Sequence, residues 1–516
     1  RDASCRMYAT SVRHLSRCAQ QIGLLSSPGH TFAPQGGRGA LATMRFPSRV
    51  APRFRTAVSA TREQVLPAVV NEAPTTEARD FLAEAGEEGL IGPRENERYM
   101  CSASVARWSN HNVDQSASII SEQLRSAPDE AVPYYAYHGF RSGTLATQGA
   151  IGVLLAALLA NLSSSGGQGS GAGFLNGIVP TIGERFRVLG SECVGAFADD
   201  FDSIRQGKYR APWDMSLTHR QLRPSFIADK SSKFLREAAS TLGRRGKAGE
   251  LGAVDTSTWL KSPLFPSYYG DTHHFQTDGW LSKGSADVYE ISTETLFLGR
   301  QDSMQRSTLL PIHSWRKQAG VLKNEGKGLK VAELACGTGR FSTFVRDNMR
   351  AADFSLVDMS PFYLEAAREN HEYYRSFTGR SKVTGDVEYL LAPAEKTGLP
   401  SDSFDIVYCV YTFHELPEAA RKAVAEEMVR IARPGGVIVM TDSGQLGDRP
   451  EYDSTMGNFY YFNEPFYDTF IQDDLGAYFE AAGAKAYEKH VRSVTKSISF
   501  IKNEKAAEEE ADGVDV

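Results

Sequence analysis

Cysteine is scarce in this chain. Its six cysteines, at positions 5, 18, 101, 193, 336 and 409, show no Cys-x-x-Cys and no framework spacing. That excludes a disulfide scaffold and a thiolate zinc module and fits a reducing compartment. Long apolar runs are missing too. The longest candidate, residues 149–162, has fourteen residues, whereas a bilayer span needs about twenty, so it predicts a buried or at most an interfacial helix. No transmembrane segment is expected, and any membrane contact would be peripheral. An excess of positive charge is also absent, with 57 Lys plus Arg against 63 Asp plus Glu, a net charge of -6. Ten of the arginines fall within the first 62 residues. The rest of the chain therefore lacks the balance that binds polyanions, and nucleic acid is not an expected partner.

What the chain does contain is a glycine-rich turn between a strand and a helix. Residues 329–340 run as a short apolar strand, then Glu333, Leu334, Ala335, Cys336, Gly337, Thr338, Gly339 and Arg340. Gly337 and Gly339 permit positive φ and remove side chains where a ligand would approach the backbone, and the N-H groups at the following helix start face that ligand. A second apolar strand, 354–358, ends in Asp358 about twenty residues later, where a doubly wound sheet places a ribose-binding acid. Residues 404–411 and 436–441 read as further continuous apolar strands, separated by helical pattern, as buried parallel strands should be. A dehydrogenase loop would carry a third glycine in its G-x-G-x-x-G frame, but Ser342 occupies that place.

On these motifs, with residues 404–417 as a fourth-strand motif and Arg433, Pro434, Gly435 and Gly436 before the fifth strand, residues 310–502 resemble a class I S-adenosylmethionine-dependent methyltransferase. The likeness is to the small-molecule branch that includes ubiquinone and menaquinone biosynthesis enzymes. It implies an α/β fold: a doubly wound, Rossmann-like, seven-stranded sheet with S-adenosylmethionine across the ends of strands one and two. Carried over position by position, Glu333 would orient the methionine end of the cofactor, with Ala335, Cys336, Gly337 and Gly339 passing beneath it. Asp358 would accept both ribose hydroxyls, Met359 would pack on the adenine, Ala394 and Glu395 would edge it, and Tyr411 would line the same site. Pro393 stands where relatives usually carry an aspartate for the adenine amino group, so that bond must come from elsewhere. Ala335 replaces a glycine, a neutral change if its φ stays negative.

The resemblance requires no nucleophilic residue, because the sulfonium carries the reactivity of the methyl group. His414, at the carboxyl end of the fourth strand, is the candidate general base, and Glu415 reads as a helix-start residue before the helix from Glu418. The loop lacks the Asn or Asp followed by Pro-Pro and an aromatic that marks enzymes acting on base amines or amides. Residues 442–467 form an insertion rich in aromatics, Tyr460 and Tyr461 among them, where such folds place a lid over the acceptor. Gln276, Asp278 and Trp280 precede a helical approach, 280–298, and are candidate contacts to cofactor or substrate. His273 and His274 have no third ligand at recognisable spacing, so no metal is expected. The implied function is methyl transfer to a small acceptor of quinol, phenol or tetrapyrrole type. Methylation of a protein side chain and a non-catalytic cofactor-binding scaffold are the alternatives.

The remaining chain divides by composition. Residues 1–62 hold no lysine and one acid, with many Ser, Ala, Pro and Gly. This is a transit-peptide composition that predicts a disordered, removed segment and import into the plastid, with the mitochondrion as the alternative. Residues 63–309 read as a mainly helical accessory domain with a Gly/Ser-rich break at 163–173. A closing helix is expected over 468–482, and 503–516 as a disordered acidic tail. Oligomeric state is not legible.

Overall fold

The computed structural model describes residues 107–111, 113–163, 182–246, 262–270, 274, 276–456 and 463–504. The transit-type segment, most of the Gly/Ser-rich break, His273, Tyr460, Tyr461 and the acidic tail from 505 onward lie outside the described residues.

Eight strands form one sheet. They are β1 (Arg107–Ser109), β2 (Lys330–Leu334), β3 (Asp353–Asp358), β4 (Val387–Leu391), β5 (Phe404–Val410), β6 (Ala432–Ser443), β7 (Ala484–Arg492) and β8 (Thr495–Lys502). Their order is β1-β7-β8-β6-β5-β2-β3-β4. Every pairing is parallel except those of β8, which runs antiparallel to β6 and β7. Seven strands fall within 330–502, the number the resemblance implies, and of these β2, β3, β5 and β6 are those the apolar pattern called for. The eighth comes from upstream: Trp108 lies opposite Lys489 and extends the β7 edge.

The central strands are apolar on both faces because both faces are covered. On one face Val331, Ile406 and Tyr408 pack with α7 (Leu309–Gln318), α8 (Arg340–Asn348) and α9 (Pro361–Thr378) through Trp315, Phe344 and Leu364. The alternate residues Ala332, Leu334, Val407 and Cys409 face α10 (Glu418–Ile431) and α13 (Leu475–Ala481) through Val424, Met428 and Phe479. After the one-turn α11 (Asp453–Met456), the single closing helix expected over 468–482 is instead two, α12 (Tyr467–Phe470) and α13. Asp473 is drawn to Arg421 at 2.7 Å and Asp474 caps α13, its carboxylate accepting the Ala477 N-H at 3.2 Å. Gly483, with φ of 97°, ends it.

Upstream lie α1 (Ser116–Ser126), α2 (Pro128–Ser163), α3 (Ile182–Arg205), α4 (Pro224–Gly246), α5 (Lys283–Leu296) and α6 (Gln301–Gln305). The apolar run 149–162 is the end of α2, and among the described residues no helix is long and apolar enough to cross a membrane. These helices are pinned to the sheet by buried ions. Asp200, fully buried on α3, accepts from Arg306 at 2.6 and 3.0 Å, from Arg492 of β7 at 3.2 Å and from the hydroxyls of Tyr134 and Tyr209. Asp302 receives Arg141 of α2 at 2.7 Å and Arg340 of α8 at 2.5 Å, and Arg340 also reaches Asp214 at 2.8 Å. Buried charges persist only when paired and hydrogen-bonded in this way.

Candidate functional site

The turn after β2 is set by its backbone. Ala335 has φ of 54°, Gly337 55° and Gly339 64°. The positive φ at Ala335 overturns the expectation of a neutral replacement. The chain must leave the strand abruptly here, and an alanine held left-handed costs roughly 1–2 kcal/mol. Gly339 is needed for space as well, since a Cβ there would stand 2.8 Å from the Cβ of Ala367 on α9. The turn is latched to the next strand, with the Gly337 N-H donating to Asp358 Oδ2 at 2.8 Å and the Cys336 N-H to the Val357 carbonyl at 2.9 Å.

Two carboxylates face this turn from adjacent strand ends. Glu333 lies opposite Tyr408 in the β2–β5 register and accepts its hydroxyl at 3.1 Å. Burial pushes its pKa up to about 8, against the hydroxyls of Tyr408 and Ser342. Burial likewise raises Asp358 to about 6, opposed by the backbone N-H bonds from Ser360 and Gly337. Each Asp358 oxygen accepts one of those N-H groups, Ser360 on Oδ1 and Gly337 on Oδ2, both at 2.8 Å. A carboxylate offers about four lone-pair sites, so two more donors fit. Glu395 takes the Tyr268 hydroxyl on Oε1, while its Oε2 is buried without a hydrogen-bond partner.

The other end of the site is built on β5 and β6. Tyr411, with φ of 52°, turns the chain off β5 into residues 412–415. The fully buried Asp442 organises that turn, its Oδ2 accepting the N-H groups of Thr412 and Phe413 at 3.0 and 2.7 Å. Its Oδ1 accepts from Ser443 N-H at 2.7 Å and lies 2.6 Å from His414 Nδ1. Burial works against a charged His414, but Asp442 and Glu415 outweigh it and hold the imidazole well above its ordinary pKa. Glu415 does not serve α10: Pro417 is the N-cap of that helix, and the Glu415 carboxylate reaches His274 Nε2 at 2.9 Å and His414 Nε2 at 3.5 Å. His274 is in turn 3.2 Å from Glu464 through Nδ1.

Both ends open on one cavity of about 310 Å³. Gln276, Trp280, Ala335, Gly337, Asp358, Met359, Ala394, Glu395, Tyr411 and His414 all line it. Glu333 and Cys336 line a small adjoining recess that shares Ala335, Gly337 and Tyr411 with it. Gly339 lines neither and works by packing α8 against α9. Asp278 stands apart from the cavity in a turn, its φ 60° and its carbonyl accepting the Leu281 N-H at 2.9 Å. The Gln276 amide donates to the Gly279 carbonyl and the Tyr363 hydroxyl, both at 3.0 Å.

Sequence reasoning passed over Asp442, Tyr289, Phe297, Tyr363 and Glu464, whereas Tyr467, which lines the cavity, belongs to the aromatic insertion it read as a lid. Asp442 alone carried a legible signal, an acid closing an apolar strand as Asp358 does. His274 was noticed and set aside for want of a third partner, which folding supplies in Glu415.

Residues 331–436 match a family model described as a methyltransferase domain. The fatty-acid O-methyltransferase of Mycolicibacterium smegmatis is 27% identical over 161 residues, covering 31% of this chain and 52% of that protein. The ubiquinone/menaquinone biosynthesis C-methyltransferase UbiE of Pasteurella multocida is 28% identical over 169 residues, covering 32% of this chain and 58% of that protein. The chain thus spans about half the length of the curated relatives it matches. Among solved structures, a SAM-dependent methyltransferase from Aquifex aeolicus aligns at 20% identity over 36% of this chain and 88% of that one, with a TM-score of 0.26. The CurJ carbon methyltransferase aligns at 12% identity over 77% of this chain and 100% of that one, with a TM-score of 0.35.

Sheet order, turn and the family match over residues 331–436 mark a class I S-adenosylmethionine-dependent methyltransferase domain. The cofactor of that class is S-adenosylmethionine. The residues present fit that group: a turn cleared of side chains, a strand-end carboxylate with room for two more donors, and a buried orphan oxygen on Glu395.

Proposed function

We propose that the chain transfers a methyl group from S-adenosylmethionine to a small, flat acceptor of quinol, phenol or tetrapyrrole type. The carrying observation is the wall of the cavity. From Asp358 at one end to His414 at the other, it is faced by Tyr269, Trp280, Tyr289, Phe297, Tyr411 and Tyr467. Trp280 stacks on Tyr269 with centroids 5.3 Å apart, and Phe297 on Tyr411 at 6.0 Å. Such walls favour a planar apolar body with few polar groups at its rim.

When bound, the cofactor supplies an electrophilic methyl on its sulfonium. The residues of the chain then bind and align. Asp358 holds the ribose hydroxyls with charge-assisted bonds, and Glu333 faces the methionine end. Met359 and Ala394 flank the adenine. Glu395 Oε2, lacking a donor of its own, receives the adenine amino group in place of the aspartate that Pro393 displaces. His414, fixed through Nδ1 by Asp442, meets the acceptor's oxygen or enol carbon and, in its unprotonated form, takes the acceptor's proton on Nε2. Residues 1–62 direct the chain to the plastid.

The test is methyl transfer by the full chain from labelled S-adenosylmethionine to a panel of quinols, phenols, tetrapyrroles and, as contrast, peptides. Label in an aromatic acceptor is expected. Label confined to peptides, or in none while cofactor binds, would replace this reading with side-chain methylation or a scaffold.

A further inference from the structure

We propose that His274, His414 and Glu415 form a binding site for one divalent first-row transition-metal ion, with zinc the ion best matched by ligand type. The three side chains come from two stretches of chain far apart in sequence, and their ligand atoms lie within 4.8 Å of one another. Glu415 Oε1 is 2.9 Å from His274 Nε2 and 3.5 Å from His414 Nε2. Ligands about 2.0–2.2 Å from a tetrahedral ion stand roughly 3.3–3.6 Å apart; the Glu415–His414 pair at 3.5 Å already has that spacing, and the Glu415–His274 pair at 2.9 Å opens by about half an ångström to admit the ion.

The second argument is independent of the first. Metal-binding histidines almost always give their other ring N-H to a carboxylate, a backbone carbonyl or water, which fixes tautomer and orientation. Both histidines do so here. His414 Nδ1 is 2.6 Å from Asp442, and His274 Nδ1 is 3.2 Å from Glu464. Both of those carboxylates are buried, Glu464 to 4% exposure and Asp442 to none. Asp442 is further locked by three backbone N-H groups, from Thr412, Phe413 and Ser443. The outward nitrogen of each imidazole is thereby aimed at the same oxygen. Three carboxylates around two imidazoles in a largely enclosed space also leave a negative balance that a divalent cation offsets.

His274, His414, Glu415 and Glu464 all line the main cavity, so the fourth position of the ion faces it. Three protein ligands with an open fourth position is the arrangement of a catalytic rather than a structural ion. That position would take water or an oxygen of the acceptor. With the ion bound, His414 Nε2 is committed as a ligand, and the acceptor's oxygen meets the metal instead of the imidazole. This last role rests on the reading of the cavity as the acceptor site; the ion site itself does not.

The full chain, stripped by chelator, is incubated with Zn²⁺, Co²⁺, Mn²⁺ or Fe²⁺ in turn, desalted and assayed for retained metal. About one ion per chain is expected for zinc, and a visible d–d spectrum of four-coordinate type for cobalt. His274→Ala and Glu415→Gln should each lose at least ~90% of the retained ion, and Glu464→Gln should weaken it about 10–100-fold. Circular dichroism on each variant separates loss of the site from loss of the fold. Titrating stripped wild type with S-adenosylhomocysteine tests the cofactor reading separately. Retention by wild type no greater than by folded His274→Ala, for all four metals, overturns the site and leaves an ion pair between His274 and Glu415.

Discussion

The half of the cavity beside β2 and β3 is centred on one short stretch of chain, 333–359, and edged by Ala394 and Glu395, whereas the half beside His414 is assembled from residues 274–297, 411–415, 442–443 and 464–467. The first is made mostly by backbone: φ values, a glycine turn and N-H groups aimed at a carboxylate. The second is made by side chains whose partners lie far away in sequence. A cofactor shared by a whole class can be held by geometry that a local motif encodes. An acceptor peculiar to one enzyme is held by contacts that only the tertiary fold brings together.

The contrast can be broken at its joint. Replacing Asp200 with Asn leaves Arg306 and Arg492 buried beside a neutral group. It should cost about 3–5 kcal/mol of stability, because removing one partner strands the other charges. Denaturant unfolding reads this, and a loss under about 1 kcal/mol would mean that the helices and the sheet do not depend on that cluster.

The two halves should also fail differently. Asp358→Ala should weaken cofactor binding by roughly 1.5–3 kcal/mol per charged hydrogen bond lost. His414→Ala should lower turnover by about 10²-fold or more with cofactor affinity retained. Calorimetry and initial rates on the same two variants separate the effects, and a His414→Ala enzyme of full activity would remove that residue from the chemistry.

A pH series sharpens the cofactor side further. Burial places Asp358 at about 6, above its unfolded value near 3.9, so the folded protein retains this proton to higher pH. Above about pH 7 the carboxylate is charged and accepts donors fully. As pH falls through 6 it protonates and loses one acceptor, so affinity for S-adenosylhomocysteine should fall towards pH 5. Affinity that is flat from pH 5 to 8 in wild type would show that Asp358 does not carry the binding.

The smallest expected effect is at Ala335. Glycine there relieves a left-handed alanine, a gain of roughly 1–2 kcal/mol, less about 0.5–1 kcal/mol of backbone entropy. Ala335→Gly should therefore raise Tm slightly, by up to a few degrees, and a lower Tm would mean that the Ala335 methyl packs better than its φ costs.

How far the sequence carried depends on the same division. Strands β2, β3, β5 and β6, the turn and Asp358 were legible because each rests on local pattern: buried parallel strands read as unbroken apolar runs, and a tight turn demands glycine. The strain at Ala335 was not, since residue type does not report φ. Glu415 was misassigned because an acid three residues before a helix start is a local signal, while its real partner, His274, sits on a segment far upstream. The strand β1 was illegible for a related reason: three residues joined to a sheet edge formed hundreds of residues later leave no periodic trace. The split of the last helix into α12 and α13 follows from Asp473 reaching Arg421, a tertiary contact that overrode helical pattern.

The central claim is that the ends of β2 and β3 hold S-adenosylmethionine, and titration calorimetry of the full chain with S-adenosylhomocysteine, wild type beside Asp358→Ala, tests it most directly. Micromolar binding by wild type, weakened at least tenfold in a folded Asp358→Ala variant, is the predicted result. No binding by folded wild type, or equal affinity in the two proteins, would contradict it.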